Sequence, residues 1–103
     1  MWNEPTFEQL NKVPRLYETE EIPLKDKLIY LHFFIGNSSW YIAEWDGKDL
    51  FFGYAILNGD TENAEWGYSS YKELRELRVN GFEVDCDIHW NPTKASKIPK
   101  IEM

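Results

Sequence analysis

Between Phe82 and Trp90 the chain alternates without a fault: Phe82, Val84, Cys86, Ile88 and Trp90 in one phase, Glu83, Asp85, Asp87 and His89 in the other. Successive side chains of a strand point to opposite faces, so this period of two predicts a strand with a core face and a wet face. Leu28 to Ile35 is rich in β-branched and aromatic residues and predicts an earlier strand, which Gly36-Asn37-Ser38 turns into a second over Ser39 to Trp45. Asp46-Gly47 suits a type I′ hairpin turn and leads to a third strand, Asp49 to Leu57. That strand is apolar in both phases, with Phe51, Gly53, Ala55 and Leu57 against Leu50, Phe52, Tyr54 and Ile56, which predicts a central strand covered on both faces. Gly53 leaves room there for a bulky neighbour. Asn58-Gly59-Asp60 turns the chain toward a weaker strand near Ala64 to Tyr68.

Helical spacing occurs twice. Thr6 and Gln9 have the form of a capping box, and Phe7, Leu10 and Val13 share a stripe, so a helix is predicted over Phe7 to Lys12, stopped by Pro14. Ser70 and Glu73 repeat the capping pattern ahead of Tyr71, Leu74 and Leu77, predicting a helix from Tyr71 to about Leu77 that Asn80-Gly81 ends. Arg15 to Lys27 reads as a surface loop that pins Leu16, Tyr17 and Ile22 inward. The sum is an α+β domain over residues 1–90, built on an antiparallel sheet of about five strands: a meander of four, then the helix, then the last strand. Residues 91–103 are lysine-rich and aperiodic, and read as a flexible arm.

Charge narrows the partners. Eleven Lys and Arg against eighteen Asp and Glu give a net charge of −7, a surface that repels phosphate and lacks a basic track, so direct nucleic-acid binding is not expected. Such a surface serves solubility, or meets a basic groove on another protein. The longest apolar run, Leu28 to Ile35, is far shorter than the ~20 residues of a spanning helix. Met1-Trp2-Asn3-Glu4-Pro5 lacks the basic start and apolar stretch of a secretory signal. Cys86 is the single cysteine, which excludes an internal disulfide and fits a reducing cytoplasm.

The polar phase of the last strand, Glu83, Asp85, Asp87 and His89, is the most suggestive cluster. Neighbours on one strand face stand ~6.5–7 Å apart, too far for adjacent pairs to chelate one ion unaided. A metal-assisted hydrolase using His32, Asp85, Asp87 and His89 would therefore need help from outside the strand, with Glu44 and His32 the candidates. The alternative is a charged face that discourages edge-to-edge aggregation. Cys86 sits in the apolar phase and the Ser38-Ser39 and Ser69-Ser70 pairs read as turn and cap, so no catalytic residue is assigned. The six glycines are isolated, leaving no phosphate-cradling loop, and no cofactor is assigned. Aromatic residues make up 17% of the chain, more than one small core needs. Either some are exposed to meet a protein or a stacked planar ligand, or they form a second core layer beneath the N-terminal helix and loop. Trp45, Trp66, Tyr68, Glu83, Asp85, Asp87 and His89 are the candidate partner contacts, and the expected class is a non-enzymatic binding module. A small-molecule sponge for a nucleotide-like signal is the alternative, weakened by the shortage of cations.

An ordered series of residues also resembles a known family. Pro14-Arg15-Leu16-Tyr17, Thr19 to Leu24, Phe33-Phe34, Ser39-Trp40-Tyr41, Glu44, Phe51-Phe52-Gly53, Trp66-Gly67-Tyr68-Ser69, Tyr71-Lys72-Glu73-Leu74 and Asp87-Ile88-His89-Trp90 are similar to the bacterial domain of unknown function 2958. The Gly36-Asn37-Ser38 turn and the lysine-rich end depart from its pattern. The resemblance carries no catalytic residue. It implies a setting, since such domains occur on plasmids, conjugative elements and phages, and hence an anti-defence inhibitor that binds a host protein.

Overall fold

The computed structural model describes residues 1–101. Its elements are α1 (Phe7–Lys12), a 3-10 turn (Leu24–Asp26), β1 (Leu28–Ile29), β2 (Leu31–Ile35), β3 (Ser38–Trp45), β4 (Leu50–Ile56), β5 (Glu65–Ser70), α2 (Tyr71–Glu76), β6 (Arg78–Val79), β7 (Phe82–Glu83), β8 (Asp85–Cys86), β9 (Thr93–Lys94) and a second 3-10 turn (Ala95–Lys97). Local chemistry sets the helix starts. The Gln9 N–H donates to the Thr6 hydroxyl at 3.1 Å and the Gln9 side-chain oxygen accepts from the Thr6 N–H at 2.8 Å, a complete capping box. At α2 the Glu73 N–H donates to the Ser70 hydroxyl at 3.2 Å.

The main sheet is antiparallel, in the order β5-β4-β3-β2-β8, so the architecture is α+β with a five-stranded antiparallel sheet. Both of its faces are covered. On one lie Leu31, Phe33, Trp40, Ile42, Trp45 and Phe51, packed with Val13, Tyr71 and Leu74, and with Val84 and Cys86. On the other, Ile29, Tyr41, Ala43, Tyr54 and Ile56 meet Ala95, Ile98 and Ile101. A second core layer therefore exists, but the C-terminal segment supplies its lid rather than the N-terminal helix. The expected flexible arm is folded as far as Ile101: β9 pairs with β1, the Ala95 N–H donates to the Lys27 carbonyl at 3.0 Å, and Ala95, Ile98 and Ile101 are buried. Glu102 and Met103, the end of that arm, lie outside the described residues. Among the described residues no helix is long and apolar enough to cross a membrane.

Two irregularities redirect side chains. The register of β3 against β4 shifts between Ile42 and Glu44, so Trp45 joins Ile42 on the α2 face instead of following Tyr41 and Ala43. The predicted last strand is broken. Its first part, β7, pairs with β6, and only Asp85–Cys86 pairs with β2, before the chain turns at Asp87 with the Trp90 N–H donating to the Asp87 carbonyl at 3.1 Å. The expected alternation therefore fails at its ends. Val84 and Cys86 are buried, whereas Phe82 is 59% and Ile88 44% exposed, because the ladder that would hold them against the core stops short of both. Tyr17 and Ile22, expected inward, are exposed, as is Phe7 of the α1 stripe.

The dipeptide turns also change places. Asn80-Gly81, read as a helix stop, has positive φ at both residues (51° and 82°) and makes the two-residue hairpin between β6 and β7. At Asp46-Gly47 the loop is wider: the Asp46 carboxylate accepts from the N–H groups of Lys48, Asp49 and Leu50 at 2.8, 2.7 and 3.0 Å.

Candidate functional site: an apolar groove with a carboxylate rim

The groove is assembled from three short pieces at one end of the sheet. Residues 2 and 3 run beside β8, with the Trp2 N–H donating to the Val84 carbonyl at 3.1 Å and the Cys86 N–H to the Asn3 carbonyl at 3.2 Å. This sets the Trp2 ring edge-on to Phe82, 5.8 Å between centroids. The β6–β7 hairpin presents Val79 and Phe82. The β2–β3 turn and the end of β4 close the other side, tied by the Gly59 N–H donating to the Asn37 carbonyl at 3.0 Å and the Asn58 N–H to the Ser38 hydroxyl at 2.9 Å. Between them lies a groove of about 640 Å³, lined among others by Trp2, Phe34, Trp40, Leu57, Val79 and Phe82. Trp2, Leu57, Val79 and Phe82 are 55, 54, 46 and 59% exposed. Scattered apolar side chains are ordinary at a surface, but four lining one concavity make it the candidate site.

Glu83 and Asp85 also line this groove. Glu83 takes the N-terminal amine at 2.5 Å and Arg78 at 3.5 Å, and the hydrogen bond from the amine, with the charges of Arg78 and the amine itself, holds its carboxyl below the usual range. Asp85 accepts from the Asn3 N–H at 3.2 Å and from its side-chain amide at 2.8 Å through one oxygen, Oδ1. A carboxylate offers about four lone-pair sites, so Asp85 retains acceptor capacity for an incoming donor.

The other sequence candidates go elsewhere. Asp87 and His89 belong to the turn after β8, where the His89 N–H donates to the Asp87 carboxylate at 3.0 Å. They line a neighbouring cleft of about 430 Å³ with His32 and Lys100, which shares Phe34 and Asp85 with the groove. His32 stacks on Tyr41 at 4.5 Å and 5°, and its Nε2 lies 3.1 Å from the Ser39 hydroxyl. Burial pushes it down to about 4, helped by Lys100 and opposed by Asp87, so the imidazole is neutral at neutral pH. The Cys86 thiol is pushed up to about 12 by burial and by Asp85 and Asp87, which makes it a poor nucleophile. Glu44 faces neither His32 nor the cleft. Its carboxylate accepts from the Tyr17 N–H and the Thr19 N–H, both at 3.0 Å, and from the Thr19 hydroxyl, with Lys27 Nζ at 3.8 Å. Burial raises its pKa, but the Thr19 and Tyr17 bonds and the Lys27 charge outweigh that and hold the carboxyl low. Among the described residues no three His, Cys, Asp or Glu side chains gather to hold a metal ion.

Trp45 is only 7% exposed, with the Arg15 guanidinium 5.3 Å above its ring, so it is a core residue and not a contact surface. Trp66 and Tyr68 stand on β5, at the opposite edge of the sheet from Asp85 on β8. Four strand spacings separate the two edges, about 19 Å. The carboxylates and aromatics picked from the sequence thus do not form one surface. Glu83 and Asp85 meet a different apolar set, in which Trp2, Leu57, Val79 and Phe82 were not singled out. The signal for Val79 and Phe82 was present in Asn80-Gly81 between two apolar residues, a hairpin pattern.

Comparison with family models, with curated proteins and with solved structures returns no match for this chain.

Proposed function

We propose that this chain is a non-enzymatic binding module that receives an apolar, positively charged segment of a partner protein in the groove beside Glu83 and Asp85. One observation carries the reading: four half-exposed apolar side chains, Trp2, Leu57, Val79 and Phe82, surround one concavity whose rim is acidic. Covering their exposed halves contributes about 3–6 kcal/mol, which falls short of tight binding once the entropy of association is subtracted. Because Glu83 is already held by the N-terminal amine and Arg78, charge pairing with Asp85, in the field of a chain of net charge −7, has to supply specificity and encounter rate. The resemblance to a family of plasmids and phages supports a host protein as that partner and inhibition of a defence system as the purpose. The nucleotide reading gains no support from the second cleft, whose lining sets the single lysine Lys100 among Asp85 and Asp87. Selection of a phage-displayed dodecapeptide library on the full chain tests the proposal. Enrichment of sequences that combine Lys or Arg with Leu or aromatic residues, lost on Phe82→Asp and weakened by salt, supports it. Peptides that bind Phe82→Asp equally well, or no enrichment at all, count against it.

A further inference from the structure

The two edges of the sheet are treated differently. At β8 the edge is two residues long, and residues 2 and 3 lie along it with hydrogen bonds of 3.1 and 3.2 Å. At the other edge, β5 runs for six residues, and among the described residues its ladder partner is β4 alone. Folded proteins blunt such edges with lysine, proline, a bulge or a covering segment. The strand Glu-Trp-Gly-Tyr-Ser-Ser holds neither lysine nor proline, and its register against β4 runs unbroken from Leu50↔Ser70 to Ala55↔Glu65.

We infer that β5 is the contact by which two copies of this chain associate, pairing antiparallel about a two-fold axis at Gly67. Residues directly opposite in an antiparallel pair share a face, so this axis sets Trp66 against the partner subunit's Tyr68, twice, and Glu65 against the partner subunit's Ser69. The strand is complementary to itself in that register. A side chain at Gly67 would meet nothing within 4 Å, so the sheet face beside the axis is uncovered. Trp66 lies against Phe52 at 5.8 Å and Tyr54 at 5.6 Å, and Tyr68 against Phe52 at 5.3 Å, with Tyr68 still 53% exposed. No carboxylate faces a carboxylate across the ladder, since Glu65 is the one charged residue of the strand and its opposite is a serine. The surface is distinct from the groove at β6–β8, and the inference stands apart from the partner proposed there.

Sedimentation equilibrium of the full chain, from micromolar to near-millimolar concentration at low and high salt, tests this. A monomer–dimer equilibrium is expected, strengthened by salt because two acidic bodies repel, the reverse of the salt effect at the groove. Ser69→Lys creates two Glu–Lys pairs across the axis and Ser69→Glu two like-charge pairs, so the dissociation constant should fall by about fivefold in the first and rise by about fivefold in the second. A chain that stays monomeric throughout, leaving the edge to a strand of another protein, overturns the inference. So does a dimer whose affinity ignores both variants or moves the same way in each.

Discussion

His32 shows how a polar residue can be committed to packing. It lies parallel to Tyr41 at 4.5 Å, with Trp90 at 5.2 Å and Phe34 at 5.3 Å, and gaining a proton there means charging a group that burial has pushed down to about 4. Between that value and the ordinary 6.5 the unfolded chain binds the proton more readily, so the stabilisation is complete above pH 6.5 and drains away as pH falls toward 4. Urea midpoints should therefore drop across this interval in the wild type and drop less in His32→Phe; parallel curves would contradict the assignment. Gly53 is the second decisive residue. A Cβ there would stand 1.9 Å from the Tyr41 carbonyl oxygen, and backbone cannot yield as a flexible side chain would. Gly53→Ala should cost about 3 kcal/mol in chemical denaturation, and near-wild-type stability would show that the strands part easily. The sequence predicts a bulky neighbour at Gly53, whereas what approaches it is the Tyr41 backbone carbonyl of the adjacent strand. Trp45 was not legible, because a register shift at Ile42/Glu44 moves it to the other face and nothing in a period of two announces the shift.

At the scale of elements, the long loop before β1 is held by charge instead of grease. Tyr17, expected to point inward, is exposed and sits at φ 72°, while the inward groups are Lys27 and Glu44, 5% and 4% exposed. Lys27 Nζ donates to the Thr19 carbonyl and, at 2.8 Å, to the Thr19 hydroxyl, so Thr19 is clamped between the two charges. Glu44→Ala would leave the Lys27 ammonium buried without its partner, costing about 3–5 kcal/mol, whereas Lys27→Met with Glu44→Leu should cost less than the single change. Equal losses in the two variants, measured by denaturation, would mean that the ion pair is incidental. The helices were the most legible elements, since a capping box is a local signal and α1 begins and ends where Thr6 and Pro14 indicate. The C-terminal cover was the least. Ala95, Ile98 and Ile101 recur at a spacing of three, the period of 3-10 structure rather than of an α-helix or a strand, and among lysines and prolines that short run reads as aperiodic.

For the whole molecule, the surplus of aromatics resolves into two layers of core and a remainder at the surface. The second layer takes up Tyr41 and Tyr54, while Trp2 and Phe82 stand half-exposed at the groove. Composition and alternation revealed that both faces of the central strand are covered. Which end of the sheet carries the groove depended on the N-terminal segment and the β6–β7 hairpin converging, contacts more than seventy residues apart in sequence that no local pattern encodes. The most direct test follows one library-selected basic peptide titrated into the ¹⁵N-labelled chain. The account predicts that the Trp2 indole and the amides of Val79, Phe82 and Glu83 shift first and together, with an affinity that falls as salt is raised. Shifts confined to Trp66 and Tyr68, or to the cleft of His32 and Asp87, would contradict it.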